Sequence, residues 1–281
     1  MSALNLISHP LSGQPFGSSL DLCLSLVVLV WALSLVTGDC SEWLDRLWAL
    51  TPPACCLTLV LTGGFDAVRV NVMTALAFLW AARMTFNFVR KGGYRKSYRD
   101  YRWESMKERI GPLGYRLLSI VLFTPSQLLL PWLFTSPVHQ AWVWKSQPLG
   151  WLDGLALLLF LAGFCGESIS DQQMWAFQQD KKRRIAAGEK VVQPFITTGL
   201  FRYSRHPSYL CEIGMWSAFN LFAVSASGQW LHWTGLGIAL LSIQLLGVIR
   251  MTERLSAKKY PAYARYKDQT PALLPLPKLA K

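Results

Sequence analysis

The sequence predicts an all-α, polytopic membrane protein, a bundle of about seven transmembrane helices, and three observations carry that expectation. Hydrophobic residues make up 52% of the 281 and charged residues only 16%, where a soluble domain carries about a quarter charged. Apolar runs long enough to cross about 30 Å of hydrocarbon recur along the chain. The 28 Lys and Arg are clustered: eight in 90–109, seven in 178–206 and eight in 250–281. Positive residues collect on the cytoplasmic side of a membrane, so these three segments are expected to share that face.

The runs fall near 19–38, 47–63, 66–88, 113–135, 149–170, 207–226 and 230–250. The first is preceded by Ser, Gly and Pro rather than by a basic segment, so it is expected to stay as a span. The second is the weakest, because Pro52-Pro53 interrupt it and it can start late; six spans is the alternative count. Between the third and fourth runs, 90–112 reads as a loop rich in basic and aromatic residues. A second loop, 178–198, runs from Lys181-Lys182-Arg183-Arg184 to Pro194, with Gly188 and Gly199 marking turns. The loop 136–148 holds only Lys145 among its cations, as expected of the opposite face. Alternation through seven spans puts the N-terminus outside and the C-terminus in the cytosol. Trp43, Trp48, Trp142 and Trp144 read as interfacial anchors. Residues 1–112 carry the early helices and the basic loop, 113–281 the rest, as parts of one structural unit.

The sixth helix has a sharp start. Proline suits a first helical turn, and the residue before it avoids the α region, so His206 is expected to be extended and the helix to begin at Pro207. A helix start flanked by Arg202, Arg205 and His206 suits a phosphate.

Charged groups within a span are costly and face a polar cavity or a partner. Arg83, Asn87, Arg90 and Lys91 form one stripe on the third helix. Glu167, Ser170, Asp171, Met174 and Gln178 share a face of the fifth, and Tyr209, Glu212, Ile213, Trp216 and Asn220 a side of the sixth. Arg250, Glu253 and Arg254 end the seventh. Together they suggest a polar pocket open to the cytosol. Glu167 and Asp171 repel at four-residue spacing, which favours keeping one protonated as a general acid. Either can equally accept from ribose hydroxyls or bind an arginine. The six cysteines and four histidines show no metal spacing, so no metal is expected. There is no GxGxxG after a strand and no GxxxxGK[ST], which excludes Rossmann and P-loop nucleotide sites. The net charge of +12 is accounted for by topology and gives no reason to expect nucleic acid.

Gly199-Leu200-Phe201-Arg202-Tyr203, followed by Leu210-Cys211-Glu212 and Trp216, resembles the C-terminal region of steroid 5α-reductases and their relatives. That family has Leu-Gly-Glu where Cys211 stands here. The ending from Tyr266 to Ala272-Leu273-Leu274-Pro275 looks like its Tyr-x8-Pro tail, Ser170-Asp171 like its Ser-Asp pair, and Arg83 lies where it places an early arginine. The likeness is good over about 155–276. It implies NADPH in a cytosol-facing pocket, with Asp171, Tyr203, Glu212 and Tyr266 as matched positions. The physical argument adds Arg205 and His206, and the polar faces add Arg83, Tyr209, Arg250, Glu253 and Arg254. Hydride would pass to an alkene carbon of a lipid-like enone entering from the bilayer, with an acid stabilising the enolate oxygen; Glu167 and Asp171 are the candidates. The glutamate and tyrosine that steroid reductases use for this have no secure equivalent, the early region offering Trp80 and Asn87. The Arg205-His206-Pro207-x-Tyr209 pattern also occurs in isoprenylcysteine and phospholipid methyltransferases, which makes S-adenosylmethionine the alternative cofactor. A non-catalytic lipid-binding module is the remaining reading. The membrane is expected to be the endoplasmic reticulum or a bacterial inner membrane; oligomeric state stays open.

Overall fold

A computed structural model describes residues 15–95 and 98–274. His9 and the tail prolines Pro275 and Pro277 lie outside the described residues. Every regular element among the described residues is helical: α1 (Pro15–Thr37), α2 (Ser41–Leu47), α3 (Thr51–Gly63), α4 (Val68–Arg90), α5 (Tyr101–Leu118), α6 (Thr124–Thr135), α7 (Pro137–Val143), α8 (Trp151–Ala186), α9 (Pro207–Ser227), α10 (Gly235–Lys259) and α11 (Tyr263–Gln269).

Among the described residues six stretches are long and apolar enough to cross a membrane: Phe16–Thr37, Ser41–Gly63, Val68–Arg90, Tyr101–Val143, Trp151–Ala186 and Gly235–Lys259. The chain is thus a polytopic helical membrane protein. The helix in the place of the expected sixth span, α9, has 21 residues but is not among the six. Glu212, Asn220 and its serines dilute the apolar run. The second span does not start late. A 3₁₀ turn, Trp48–Leu50, joins α2 to α3, and Pro52 and Pro53 occupy the first turn of α3, where a missing N–H leaves no bond unmade.

Both expected loops are partly helical. Asp100 caps α5 by accepting from the Arg102 backbone N–H at 2.9 Å, so the helix begins at Tyr101 inside the basic segment. Gly111 (φ 77°, ψ 161°) then interrupts it ahead of Pro112. Only residues beyond that break form the apolar part. At the other loop, α8 continues to Ala186, and Asp180 pairs with Arg183 and Arg184 one turn on. Charged side chains end the apolar run without ending the helix, because Lys, Arg and Ala are good helix formers.

The helices face outward with their apolar sides. In α1 the buried residues Ser19, Cys23, Val27, Val30 and Ser34 form one stripe at helical spacing, while Leu35 and Val36 are 79% and 87% exposed. In α8 Leu155, Leu157, Leu158, Leu159 and Leu161 are exposed, whereas Ala156, Phe160, Glu167 and Ser170 are buried. Such a helix is turned toward lipid on its leucine side.

Two compact units result. The first takes in the chain up to Gly154 with Phe219–Ile238; the second comprises Leu155–Ala218 with the chain from Ala239 on. One cluster of the first unit consists of Val27, Val30, Cys40, Leu44 and Leu128, flanked by Leu26, Trp43, Leu47, Ile120 and Phe123. The unit also buries an ion pair. Arg69 donates to both Asp153 oxygens, at 2.7 and 3.0 Å, and to the carbonyls of Gln147 and Pro148; Gly150 N–H and Ser225 hydroxyl complete the Asp153 shell. With partners this complete, the two charges are held without an orphaned group.

Candidate functional site

The second unit carries most of the polar residues singled out from sequence. At its middle α8 and α9 cross closely. A methyl group on Gly163 would sit 2.7 Å from Met215 Cγ, and one on Gly166 would sit 2.8 Å from Cys211 Sγ. The Ser170 and Ser208 hydroxyls share a hydrogen bond of 2.8 Å. Small residues let the backbones approach, as in other membrane helix pairs. Glu167 sits among these small residues on α8, and Glu212 follows Cys211 on α9. Both are buried, and Glu212 Oε1 accepts from Trp216 Nε1 at 2.8 Å. Two carboxylates are thereby placed at one crossing of otherwise apolar helices. Asp171 is half-buried one position past Ser170.

The start of α9 is as expected: the helix begins at Pro207 and His206 stands outside it. The turn before it is fixed from three sides. Gly199 has φ +62° and lies against the Gln173 carboxamide, and Gln173 Oε1 accepts from Leu200 N–H at 2.9 Å. Tyr266 donates its hydroxyl to the Phe201 carbonyl. The segment after α11 then runs alongside the turn, with Arg205 N–H donating to Pro271 O at 2.9 Å and His206 N–H to Ala272 O at 3.0 Å.

Arg205 is the hub of this clasp. Its Nε donates to Glu253 Oε1 at 2.7 Å, and its Nη1 donates to the carbonyls of Lys267 (3.0 Å) and Thr270. The side chains of Arg205 and Glu253 are 8% and 7% exposed. His206 Nε2 lies 3.1 Å from the same carboxylate oxygen and Lys267 Nζ 3.3 Å from the other. His206 also stacks on Tyr209 with ring centroids 5.6 Å apart. Burial pulls the imidazole below its ordinary value of 6.5 and outweighs the opposing pull of Glu253, so His206 is neutral at pH 7. Burial likewise pushes the Tyr263 phenol up to about 12 and Tyr266 higher still; both stay protonated hydrogen-bond donors.

Of the positions named from sequence, the structure joins Arg205, His206, Tyr209, Glu253 and Tyr266 through the clasp, and sets Glu167 and Glu212 at one crossing. Tyr203 is 60% exposed. Arg250 and Arg254 are exposed although they flank the buried Glu253. Arg83 is a buried residue of the first unit. Lys267 and Thr270 were not singled out, because their carbonyls meet Arg205 from more than 60 residues away, which leaves no local spacing to read.

The family described as "Protein of unknown function (DUF1295)" matches residues 30–270. This chain belongs to the DUF1295 family. It is similar to the uncharacterized protein C594.04c of Schizosaccharomyces pombe, at 33% identity over 288 residues covering 97% of this chain and 83% of that protein. No solved structure matches it. The DUF1295 match covers the crossing of α8 and α9 and the clasp as far as Thr270, the Pro271 and Ala272 carbonyls lying just beyond it.

Proposed function

We propose that this DUF1295 chain is a membrane-embedded, NADPH-dependent reductase of a hydrophobic, unsaturated substrate. The observation that carries the reading is the pair of buried carboxylates, Glu167 and Glu212, at the close crossing of two helices whose outer faces are apolar. An ionisable group held among membrane helices is costly and is retained for a ligand, a proton or a partner. The kinship of the DUF1295 family with steroid 5α-reductase-like proteins supports the same reading. The membrane would be the endoplasmic reticulum or a bacterial inner membrane, with the cation-rich segments cytosolic.

The residues of the second unit fit a phosphate-bearing dinucleotide in kind. Glu212 and Asp171 are acceptors suited to ribose hydroxyls, and Arg202, Arg250, Arg254 and Lys259 keep exposed cations. When bound, NADPH supplies the hydride that an alkene needs. Glu167 is the proposed proton donor, on the buried side of α8 with Phe160 and Ser170, and an apolar substrate would reach it from the bilayer. The clasp at Arg205 holds the turn before α9 and so fixes the position of Glu212.

Thermal unfolding of the purified full-length protein tests this. NADPH should raise the melting temperature, by the linkage of ligand to the folded state. Glu167→Gln should keep that shift and lose turnover of an enone substrate. A shift with S-adenosylmethionine alone would overturn the reductase in favour of a methyltransferase. A folded protein that responds to neither would be a lipid-binding module.

A further inference from the structure

The cations of the second unit are not equivalent. Arg205 spends its donors on Glu253 and on the carbonyls of Lys267 and Thr270, and is closed off from solvent. Arg183 and Arg184 are held by Asp180. Lys181 and Lys259 are arranged differently, because both gather on one phenol ring. The Lys181 ammonium lies 5.0 Å from the Tyr260 ring centroid and the Lys259 ammonium 5.5 Å. Lys181 Nζ donates to the Tyr260 hydroxyl at 3.1 Å and to the Pro194 carbonyl at 2.6 Å, which fixes it in place. An ammonium has three protons to give, and a hydroxyl that accepts from an ammonium still carries its own proton.

We propose that Lys181, Lys259 and Tyr260 form a phosphate-binding site, whose ligand is the phosphomonoester of a nucleotide. Lys181 is pre-positioned with a proton to spare, Lys259 is exposed beside the same ring, and the Tyr260 hydroxyl keeps a proton to donate to the phosphate. Among the described residues no carboxylate lies within ion-pair distance of either lysine, whereas Arg183, Arg184, Arg205 and Lys267 each have one. The phenol itself reports the field. Burial pushes Tyr260 up, but the hydrogen bond and charge of Lys181, joined by Lys259, outweigh it and bring the phenol below its ordinary value. The same positive potential attracts a dianionic phosphate. Phe195, whose ring lies 6.1 Å from Tyr260 and 5.1 Å from Tyr263, walls one side with apolar surface. The assignment rests on the reductase reading in one respect: the phosphomonoester it names is the 2′-phosphate that separates NADPH from NADH.

The experiment measures binding of NADPH, NADH and 2′,5′-ADP to the full-length protein in detergent, by calorimetry and by thermal shift. The wild type should bind NADPH and 2′,5′-ADP more tightly than NADH. Lys259→Gln and Lys181→Gln should each weaken NADPH and 2′,5′-ADP about tenfold, the scale of one hydrogen bond to a charged group. They should leave NADH unchanged, and the loss should shrink at high salt. Lys181→Arg keeps the charge and a donor for Pro194, and should restore most of the affinity if Lys181→Gln merely loosens the fold. If the wild type binds NADPH and the variants bind it equally well, the site is wrong and the reductase reading stands. Loss of 2′,5′-ADP binding in the variants, in a protein that binds no NADPH, would keep the site and remove the reductase. Should phosphatidic acid in the micelle bind while 2′,5′-ADP does not, or should neither bind, the nucleotide assignment is overturned.

Discussion

Arg205 stands beside a helix start, where a cation is usually free for a ligand, and yet it is consumed by its own fold. Removing it leaves Glu253 buried with His206 and Lys267 as its remaining partners. Losing one member of a buried pair costs about 3–5 kcal/mol, so Arg205→Ala should lower the melting temperature markedly. Arg205→Met combined with Glu253→Leu should cost less than Arg205→Ala alone, measured by thermal unfolding of the two proteins. His206 carries a pH dependence whose sign follows from its depressed folded value. The unfolded chain binds the proton more readily, so the contribution of His206 is complete above the ordinary value near 6.5 and declines as the pH falls from there toward the folded value. Replacing His206 with Gln should flatten the stability profile over that acid window. At this scale the sequence was legible only locally. Pro207 and His206 announced the helix start, but nothing near Arg205 revealed that Glu253, Lys267 and Thr270 would claim its guanidinium.

Single elements depend on two glycines for different reasons. Gly111 adopts φ 77° and ψ 161°, a region essentially closed to other residues and worth about 1–3 kcal/mol of strain to them. Gly111→Ala should destabilise the protein on that order while Gly114→Ala, with only Ile110 in ordinary contact, should not. Gly163 is limited by space instead, because a side chain there meets Met215 and the Cys211 carbonyl. Overpacking of that kind costs about 1–3 kcal/mol. Gly163→Val should therefore lower the melting temperature and, by parting α8 from α9, reduce NADPH binding. Element existence was easy to read from apolar runs, and element ends were not. The fall in apolarity after residue 170 marks where α8 changes surroundings, but helix-forming Lys, Arg and Ala carry it to Ala186. In the same way the basic segment before Gly111 hid a capped helix.

For the whole molecule, cation clusters and apolar runs together dictate a polytopic bundle, and the six apolar helices agree. What pairing the helices adopt lay beyond the sequence, because leucines facing lipid and leucines facing a neighbour look alike. The inward Glu167 of α8 was readable as a charge within a span, but the burial stripe of α1 becomes visible only once packed. The charge asymmetry makes a further prediction about orientation. Cysteines introduced at Lys182 and at Lys145 should react with a membrane-impermeant maleimide from opposite faces of sealed vesicles, with Lys182 on the cytosolic face. Labelling of both from one face would refute the alternation.

The backbone bonds of Arg205 and His206 to Pro271 and Ala272 have a consequence for biosynthesis. The turn before α9 is translated some 65 residues ahead of the carbonyls that secure it, so it must wait, with Arg205 and Glu253 unclasped, until α10 is inserted and α11 has left the ribosome. Assembly of this end of the protein is therefore closed by its last-made segment. A ribosome stalled before Thr270 would hold a chain whose helices are in the membrane while the turn at Arg205 is still undone.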